Sequence, residues 1–342
     1  MDKIRFGMIG GGAISKGHIP AIQANDSTEI ICIADANAEL ARARAEEVGA
    51  LRSCGSYDEL MEMDDVDAVV VGIPTQFHAD AVIKAARAGK HALCEKPMAR
   101  TLQLCRQMID EHKAAGTTLG MAFVRRYDDN WGQIRKMINE GKAGRPCMWR
   151  CIVAGAAPGP PNYGEWYCDG TYSDGPLTES GSHDIDFLRY TFGDVASVTA
   201  YMNHMADYGS VLDNAIVILQ FESGDQALVQ WSWSLPRGAA SGFRGLDVIG
   251  PKGSIHEPRQ EDGQWLIDIS KGAGEMETVP FENRRDENTW FPGQLAGFLN
   301  AIREGGRPRG SGEDGYKAQE VFAAAVRSME TGCRIDLPLP TA

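Results

Sequence analysis

Hydrophobic and polar positions alternate on two different scales along this chain. In the first third, short apolar runs, "IRFGMIG", "EIICIAD", "AVVVGIP" and "HALCE", are separated by stretches with helical periodicity over 13–24, 38–48, 78–88 and 101–115. Runs that are apolar throughout suit strands buried on both faces, and the stretches between them suit amphipathic helices. Strand and helix in repeated alternation predict right-handed crossovers and a parallel sheet covered on both sides.

After "TTLGMAFVRRY" the texture changes. From Pro146 to about Phe281 the segments are longer and alternate apolar with polar residues: "MWRCIVAG", "VASVTAYMN", "NAIVILQFE", "QALVQWSWSL", "GLDVIG" and "WLIDIS". The turns at Glu222–Asp225 and Gly250–Gly253 are of hairpin type. This is the pattern of an antiparallel sheet with one face available for helices or another subunit. One helix interrupts it at about 181–192, and two more, 293–304 and 314–330, close the chain. The expected fold class is α/β: a doubly wound parallel sheet over 1–122, then an α+β domain over 123–342 with a large open, mostly antiparallel sheet. A length of 342 residues, long for a single core, agrees with two domains.

Composition narrows the partners. Lys and Arg number 34 against 47 Asp and Glu, a formal charge of −13, which argues against a nucleic-acid or anionic-membrane surface. Small molecules and copies of the same chain are the expected partners. Eight cysteines show no CxxC pair and no regular framework, which fits reduced thiols in a cytoplasm. A strand signal from about Lys3 leaves no room for a cleavable signal peptide, and no apolar run approaches the length of a membrane span. A soluble cytoplasmic protein is expected.

Candidate chemistry begins in the first strand-to-helix turn. "GMIGGGAISKGH" holds Gly10-x-Gly12-x-x-Ser15, with Ala13 and Ile14 inside the motif. Gly10 permits the tight turn, Gly12 lets backbone approach a pyrophosphate, and a small third residue allows close helix–strand packing, as in Rossmann dinucleotide sites. The helix N-terminus then offers N–H groups and partial positive charge to phosphates. Ser15 in place of Gly or Ala is a mild departure that could loosen the packing. Asp35 ends the second strand, 20 residues past Ser15, where a carboxylate accepts from a ribose diol and repels a 2′-phosphate. NAD is therefore expected over NADP. Asp35 is equally placed to cap the following helix. Two further strand ends face the same crevice. "HALCE" delivers Glu95 and Lys96 there, with Pro97 stiffening the turn, and "GIPTQFH" delivers Pro74, Thr75 and His78. His78 could also cap the next helix.

These stretches carry a resemblance. The order "GGGAI", "VDAVVVGIPTQFHADAVIKAARAGKHALCEKPMA", "FVRRYD", "ESGSHDIDFLRYTFG" and "GEDGYKAQEVFAAAVRSMETG" is similar to the glucose-fructose oxidoreductase / inositol dehydrogenase / rhizopine catabolism (Gfo/Idh/MocA) family over nearly the whole chain. The resemblance implies an N-terminal Rossmann domain and a C-terminal substrate-binding and oligomerisation domain. It implies hydride transfer between nicotinamide and a secondary alcohol or ketone of a sugar, inositol or related polyol, with homodimers or homotetramers built through the C-terminal sheet. NAD-dependent redox glycosidases and non-catalytic dinucleotide-sensing regulators share this architecture. Retention of both Lys96 and His183 counts against the regulator, because a sensor needs no general base.

Oxidising an alcohol by hydride loss requires a base for the hydroxyl proton. His183 in "TESGSHDIDFLRY" is the leading candidate, with Asp186 one turn on and Glu179 upstream, where the family typically has Asp; either carboxylate could orient the imidazole. Lys96 would donate to the reacting oxygen and stabilise a developing alkoxide, or relay the proton itself. Glu95, by resemblance, would contact the nicotinamide ribose; a salt bridge is its alternative. Arg125, Arg126 and Tyr127, resembling inositol dehydrogenases, could supply donors to a polyol, with at least one arginine structural. Tyr163 and Trp166, in the Pro-, Gly- and aromatic-rich loop 157–175, are candidates for a pocket wall stacking on sugar C–H faces. Trp231 and Trp233 alternate in one strand and share a sheet face, a candidate subunit interface. No cluster has zinc spacing, and a second histidine near His183 is missing, so no metal is expected.

Overall fold

The computed structural model describes residues 3–158, 164–239, 242–283 and 287–340. Along the chain the first elements are β1 (Ile4–Ile9), α1 (Ser15–Gln23), β2 (Thr28–Ala34), α2 (Ala38–Val48), β3 (Arg52–Cys54), α3 (Tyr57–Met61), β4 (Ala68–Val71), α4 (His78–Arg87), β5 (His91–Cys94), α5 (Leu102–Ala115) and β6 (Leu119–Met121). There follow α6 (Asp129–Asn139), β7 (Met148–Ala156), α7 (Pro176–Glu179), α8 (Ser182–Phe192), β8 (Val195–Asn203), β9 (Asn214–Phe221), β10 (Gln226–Leu235), β11 (Phe243–Gly250) and β12 (Gly253–His256). The chain ends with β13 (Arg259–Glu261), β14 (Gln264–Ser270), β15 (Met276–Phe281), α9 (Glu287–Glu304), α10 (Gly312–Thr331) and β16 (Ile335–Asp336).

These elements form two compact units, Met1–Tyr127 with Asp286–Gln319, and Asp128–Arg285 with Glu320–Ala342. The sheet of the first runs β3-β2-β1-β4-β5-β6, every neighbouring pair parallel. This is the doubly wound order 3-2-1-4-5-6, whose direction reverses between β1 and β4 and opens a crevice at their carboxyl ends. The central strands are buried on both faces: Phe6, Met8, Ile33, Val69, Val70 and Leu93 are all shielded from solvent. Periodicity alone assigns 293–304 to the second domain. In the structure, Leu295, Phe298 and Leu299 of α9 join Phe6, Met8 and Ile22 in the core of the first unit. Each such side chain contributes about 1.5–3 kcal/mol by leaving water, enough to decide where a helix with one apolar stripe docks.

In the second unit the sheet order is β13-β14-β12-β11-β7-β10-β9-β8-β16, with β15 paired to β14. The ladders are antiparallel except for β7 and β10 at the centre, which run parallel in register Cys151 to Val229. Alternation then separates the faces. Ala215, Val217 and Leu219 of β9 are buried, while Ile216 and Ile218 between them are exposed. The buried face rests on a ring cluster in which Trp131 of α6 meets Phe187 of α8 edge-on at 5.0 Å and Trp149 of β7 at 5.5 Å. On the opposite face Tyr201 of β8 is 65% exposed and sits across from Ile216, and Ile218 is 47% exposed. The two hairpin turns lie where the sequence places them, joining β9 to β10 and β11 to β12.

Candidate active site

The glycine turn of the first unit has two different sides. At Gly10 φ is +100°, and a Cβ would overlap the Gly72 carbonyl, 2.9 Å from its carbon and nearer its oxygen. The chain can reverse there only because the residue lacks a side chain. At Gly12, by contrast, a Cβ would meet nothing within 4 Å, so the turn is open outward. Ser15 is fully buried, and its hydroxyl donates to the Gly12 carbonyl at 2.7 Å, so the departure from Gly or Ala tightens the turn rather than loosening it. No side chain caps α1, and among the described residues the amides of Gly12, Ala13 and Ile14 donate to no protein acceptor. A row of unclaimed amides at a helix start suits a diphosphate.

Asp35 follows β2 and steadies this turn. Its Oδ2 accepts the Gly11 N–H at 2.9 Å and its Oδ1 the Asn37 N–H at 2.8 Å. Asn37, not Asp35, caps α2, accepting from the Glu39 and Leu40 amides. An ionised carboxylate offers about four acceptor positions, so capacity for a ribose diol remains. Arg44, which sequence reasoning missed, donates from Nε to the Gly11 carbonyl at 3.2 Å and holds the other edge of the turn.

The strand ends at β4 and β5 are locked to one another. The buried His78 ring lies between carbonyl oxygens, Nδ1 at 2.8 Å from Pro97 and Nε2 at 2.8 Å from Ile73. It begins α4 but makes no cap, contrary to the capping alternative. Burial, the largest influence, lowers its pKa against the pull of both carbonyls, so the neutral ring donates to one carbonyl at a time. Thr75 is buried behind Pro74. Glu95 is the more unusual group. Its carboxylate is buried, with Oε1 2.8 Å from Nε2 of His18 on α1, and Oε2 accepts the Lys96 N–H at 3.2 Å. Burial alone would raise its pKa, but the His18 hydrogen bond and the Lys96 charge outweigh it and hold the group below the usual carboxylate range. Lys96 is joined to Pro97 by a cis peptide. His18 shares the buried side of α1 with Ser15, a weak signal in sequence; its partner lies 77 residues away and gives none.

In the second unit, α7 ends at the buried Glu179 and α8 begins at Ser182, so Glu179 and His183 flank a short break. His183 is half-buried and Asp186 fully buried. Gly181 lies at the break, where a Cβ would sit 2.6 Å from the Leu177 carbonyl oxygen and 3.0 Å from Cδ1 of Trp231. That indole donates from Nε1 to Oδ2 of Asp184 at 2.7 Å, and the Cys151 thiol donates to Oδ1 at 3.4 Å. The residue after His183 thereby ties α8 to the sheet. Trp231 and Trp233 do share a face, but it is the helix-covered one, because Trp231 pairs with buried Ala215. They are not on the exposed face. Trp166 stacks on Tyr167 at 4.0 Å, Tyr167 meets Trp233 edge-on at 6.1 Å, and Glu165 beside them pairs with Arg237. Tyr163 lies outside the described residues.

Arg125, Arg126 and Tyr127 form a 3-10 turn in the first unit. Arg125 lies over the Trp290 ring at 4.7 Å, and Arg126 is buried against Asp314 at 3.2 Å, the structural arginine. Tyr127 packs on Gly293 and Gly297 of α9 beneath the Arg309 guanidinium. Among the described residues no group of His, Cys, Asp and Glu is arranged to hold a metal ion.

A 3-2-1-4-5-6 parallel sheet with an outward-open glycine turn at its reversal point is the arrangement of a dinucleotide-binding domain. Comparison with known proteins makes this specific. Residues 4–123 match the oxidoreductase family with an NAD-binding Rossmann fold, and residues 131–256 match the GFO/IDH/MocA C-terminal domain; the chain belongs to this family. It is 29% identical to myo-inositol 2-dehydrogenase of Thermotoga maritima, over 96% of both chains. It is 31% identical to inositol 2-dehydrogenase of Rhizobium meliloti, over 95% of this chain and 97% of that one. Its fold superposes on the WlbA dehydrogenase of Bordetella pertussis, solved with NADH and UDP-GlcNAcA, with a TM-score of 0.82, 25% identity and 99% of each chain covered. The residues present fit NAD: the open side of Gly12, the unclaimed amides of 12–14 and the spare acceptor capacity of Asp35 are what its diphosphate and ribose need.

Proposed function

We propose that the protein oxidises a secondary alcohol of an inositol or related cyclic polyol or sugar to the ketone, with NAD as hydride acceptor. NAD, when bound, would accept the hydride from the carbinol carbon, and the hydroxyl proton must then be taken by a base on the protein as the ketone forms. Glycines 10 and 12 with Ala13 and Ile14 hold the diphosphate, Asp35 the adenosine ribose, and Pro74, Thr75 and His78 shape the nicotinamide side. Glu95 contacts the nicotinamide ribose. Lys96 donates to the reacting oxygen and offsets its developing charge, an effect worth about 3 kcal/mol for one such donor. His183 takes the hydroxyl proton, with Glu179 holding its tautomer. Arg125, Tyr127, Tyr163 and Trp166 are assigned to the polyol.

The observation that carries this proposal is Lys96 at the carboxyl end of β5, in a family whose relatives named above are inositol dehydrogenases. Self-association through the second sheet accounts for the apolar outward face of Tyr201, Ile216 and Ile218, which a single chain leaves in water. A cytoplasmic location fits eight cysteines that are all free. Among the described residues no helix is long and apolar enough to cross a membrane. The test is a panel of inositols, aldoses, sugar acids and aryl glycosides with NAD, following NADH absorbance and aglycone release together. NADH formed on a cyclic polyol is the expected result. Aglycone release without net NADH would replace the proposal with a redox glycosidase, and silence on both channels would point to a substrate outside the panel or to a sensor.

A further inference from the structure

We propose that His18 is a positioning residue for the Glu95–Lys96–Pro97 turn, acting through the Glu95 carboxylate; this rests on the assignment of Lys96 to the reacting oxygen. His18 is 3% exposed and Glu95 6% exposed, so the pair is buried. One carboxylate joins two elements: Oε1 lies 2.8 Å from His18 on α1, the helix of the cofactor turn, and Oε2 accepts the backbone N–H of Lys96 at 3.2 Å. Phe291 of α9 closes the imidazole from the side, edge-on with ring centroids 4.8 Å apart. Gly17 makes room for that ring, since a Cβ there would overlap it, 2.8 Å from Cε1.

A buried carboxylate with its polar partner is seldom more stable than apolar side chains of the same volume, so fold stability does not explain one at this place. Its position does. At the other end of the turn the His78 ring lies 2.8 Å from the Pro97 carbonyl, so the segment carrying Lys96 is held before and after the lysine. The Glu95 end also sets a charge beside Lys96. Without His18, Glu95 would be left in a buried site lacking its strongest donor; it takes up a proton, and the Lys96 amide loses an ionised acceptor. The lysine then shifts, and a misplacement of about 1 Å can cost about 100-fold in rate.

The experiment compares wild-type protein with His18→Leu and His18→Gln, because a glutamine Nε2 reaches about where the imidazole Nε2 does. Two readouts are taken: kcat and KM on a polyol the wild type oxidises, and residue-resolved hydrogen exchange at the Lys96 amide without substrate. Expected for His18→Leu are a kcat lower by about 30- to 100-fold, a polyol KM within about threefold, and Lys96 exchange faster by about tenfold or more. His18→Gln is expected to restore both readouts to within about threefold of wild type. A folded His18→Leu with wild-type kcat or wild-type Lys96 exchange overturns the proposal, and so does a His18→Gln as impaired as the leucine variant. If His18→Leu does not fold, His18→Asn, too short to reach the Glu95 carboxylate, takes its place, with the same kcat loss and faster Lys96 exchange expected and a wild-type value of either overturning the proposal. Should the wild type oxidise nothing in the panel, the polyol assignment fails separately, and the exchange measurement still decides whether His18 holds the turn.

Discussion

Gly12→Ala and Gly10→Ala are one methyl each, two residues apart, and the structure predicts opposite consequences. At Gly12 φ is not positive and a Cβ has nothing within 4 Å, so alanine fits the protein as it stands. Stability should change by no more than about 0.5 kcal/mol, or rise slightly as the unfolded chain loses freedom. The added methyl would instead occupy the space through which the diphosphate approaches the backbone. Overpacking by one methyl costs about 1–3 kcal/mol, so NAD should bind about 30-fold more weakly at about 2 kcal/mol. At Gly10 the φ of +100° strains any L-residue, and the new Cβ overlaps the Gly72 carbonyl of the neighbouring strand end. There the left-handed backbone alone costs about 1–2 kcal/mol, and the overlap adds to it, so folding itself is weakened. Urea denaturation gives the stability arm, and NAD titration by protein fluorescence gives the binding arm. A Gly12→Ala protein that binds NAD like wild type, or one as destabilised as Gly10→Ala, would refute the diphosphate cradle.

Lys96→Ala should lower kcat by at least about 100-fold, with the NAD dissociation constant within about threefold of wild type; steady-state kinetics beside an NAD titration checks both, and normal turnover would remove Lys96 from the chemistry. Asp35→Ala removes an ionised acceptor from the Gly11 and Asn37 amides as well as from the ribose, so NAD affinity should fall about 10- to 100-fold and NADP exclusion relax, read as the ratio of the two cofactors' kcat/KM. Burial lowers the pKa of His112 from the ordinary 6.5 to about 4. The unfolded chain therefore binds the extra proton first as pH falls, and the stability present above about 6.5 is lost toward about 4, by about 3 kcal/mol in all. Urea unfolding across that interval should show His112→Asn losing less stability than wild type; equal losses would contradict the assignment. Ile218→Asp, on the outward face of the second sheet, should yield a smaller species by analytical ultracentrifugation, and an unchanged mass would exclude that face as the contact between copies.

The strands of the first sheet could be read from sequence because they are buried on both faces and their apolar runs are unbroken. The helices between them were legible for the complementary reason, having one buried side. Short edge elements such as β3 and α3 are too brief and too exposed to leave a pattern. Helix α6 carries Trp131, Ile134 and Ile138 at helical spacing behind an Asp128 cap, but Gly132 interrupts it and it goes unread. Alternation marks the second sheet and its hairpins, yet cannot distinguish the parallel β7–β10 ladder from an antiparallel one, since side chains alternate in both. Site residues at strand ends and in the glycine turn stand out because their chemistry is local. Contacts of long sequence separation do not: Glu95 to His18, Trp231 to Asp184 and the docking of α9 on the first sheet all emerge only when the chain is folded. The alternative of Asp35 as a cap fails for a local reason, since Asn37 two residues on is the one that reaches the Glu39 and Leu40 amides.

The central claim, hydride transfer between a polyol carbon and nicotinamide, is tested most directly by isotope. A cyclic polyol that the enzyme oxidises, carrying deuterium on the reacting carbinol carbon, is incubated with NAD, and the reduced cofactor is isolated for mass spectrometry and proton NMR. One deuterium at the nicotinamide C4, on a single face, is the predicted result. Reduced cofactor without deuterium, or consumption of the polyol with none formed, would contradict it.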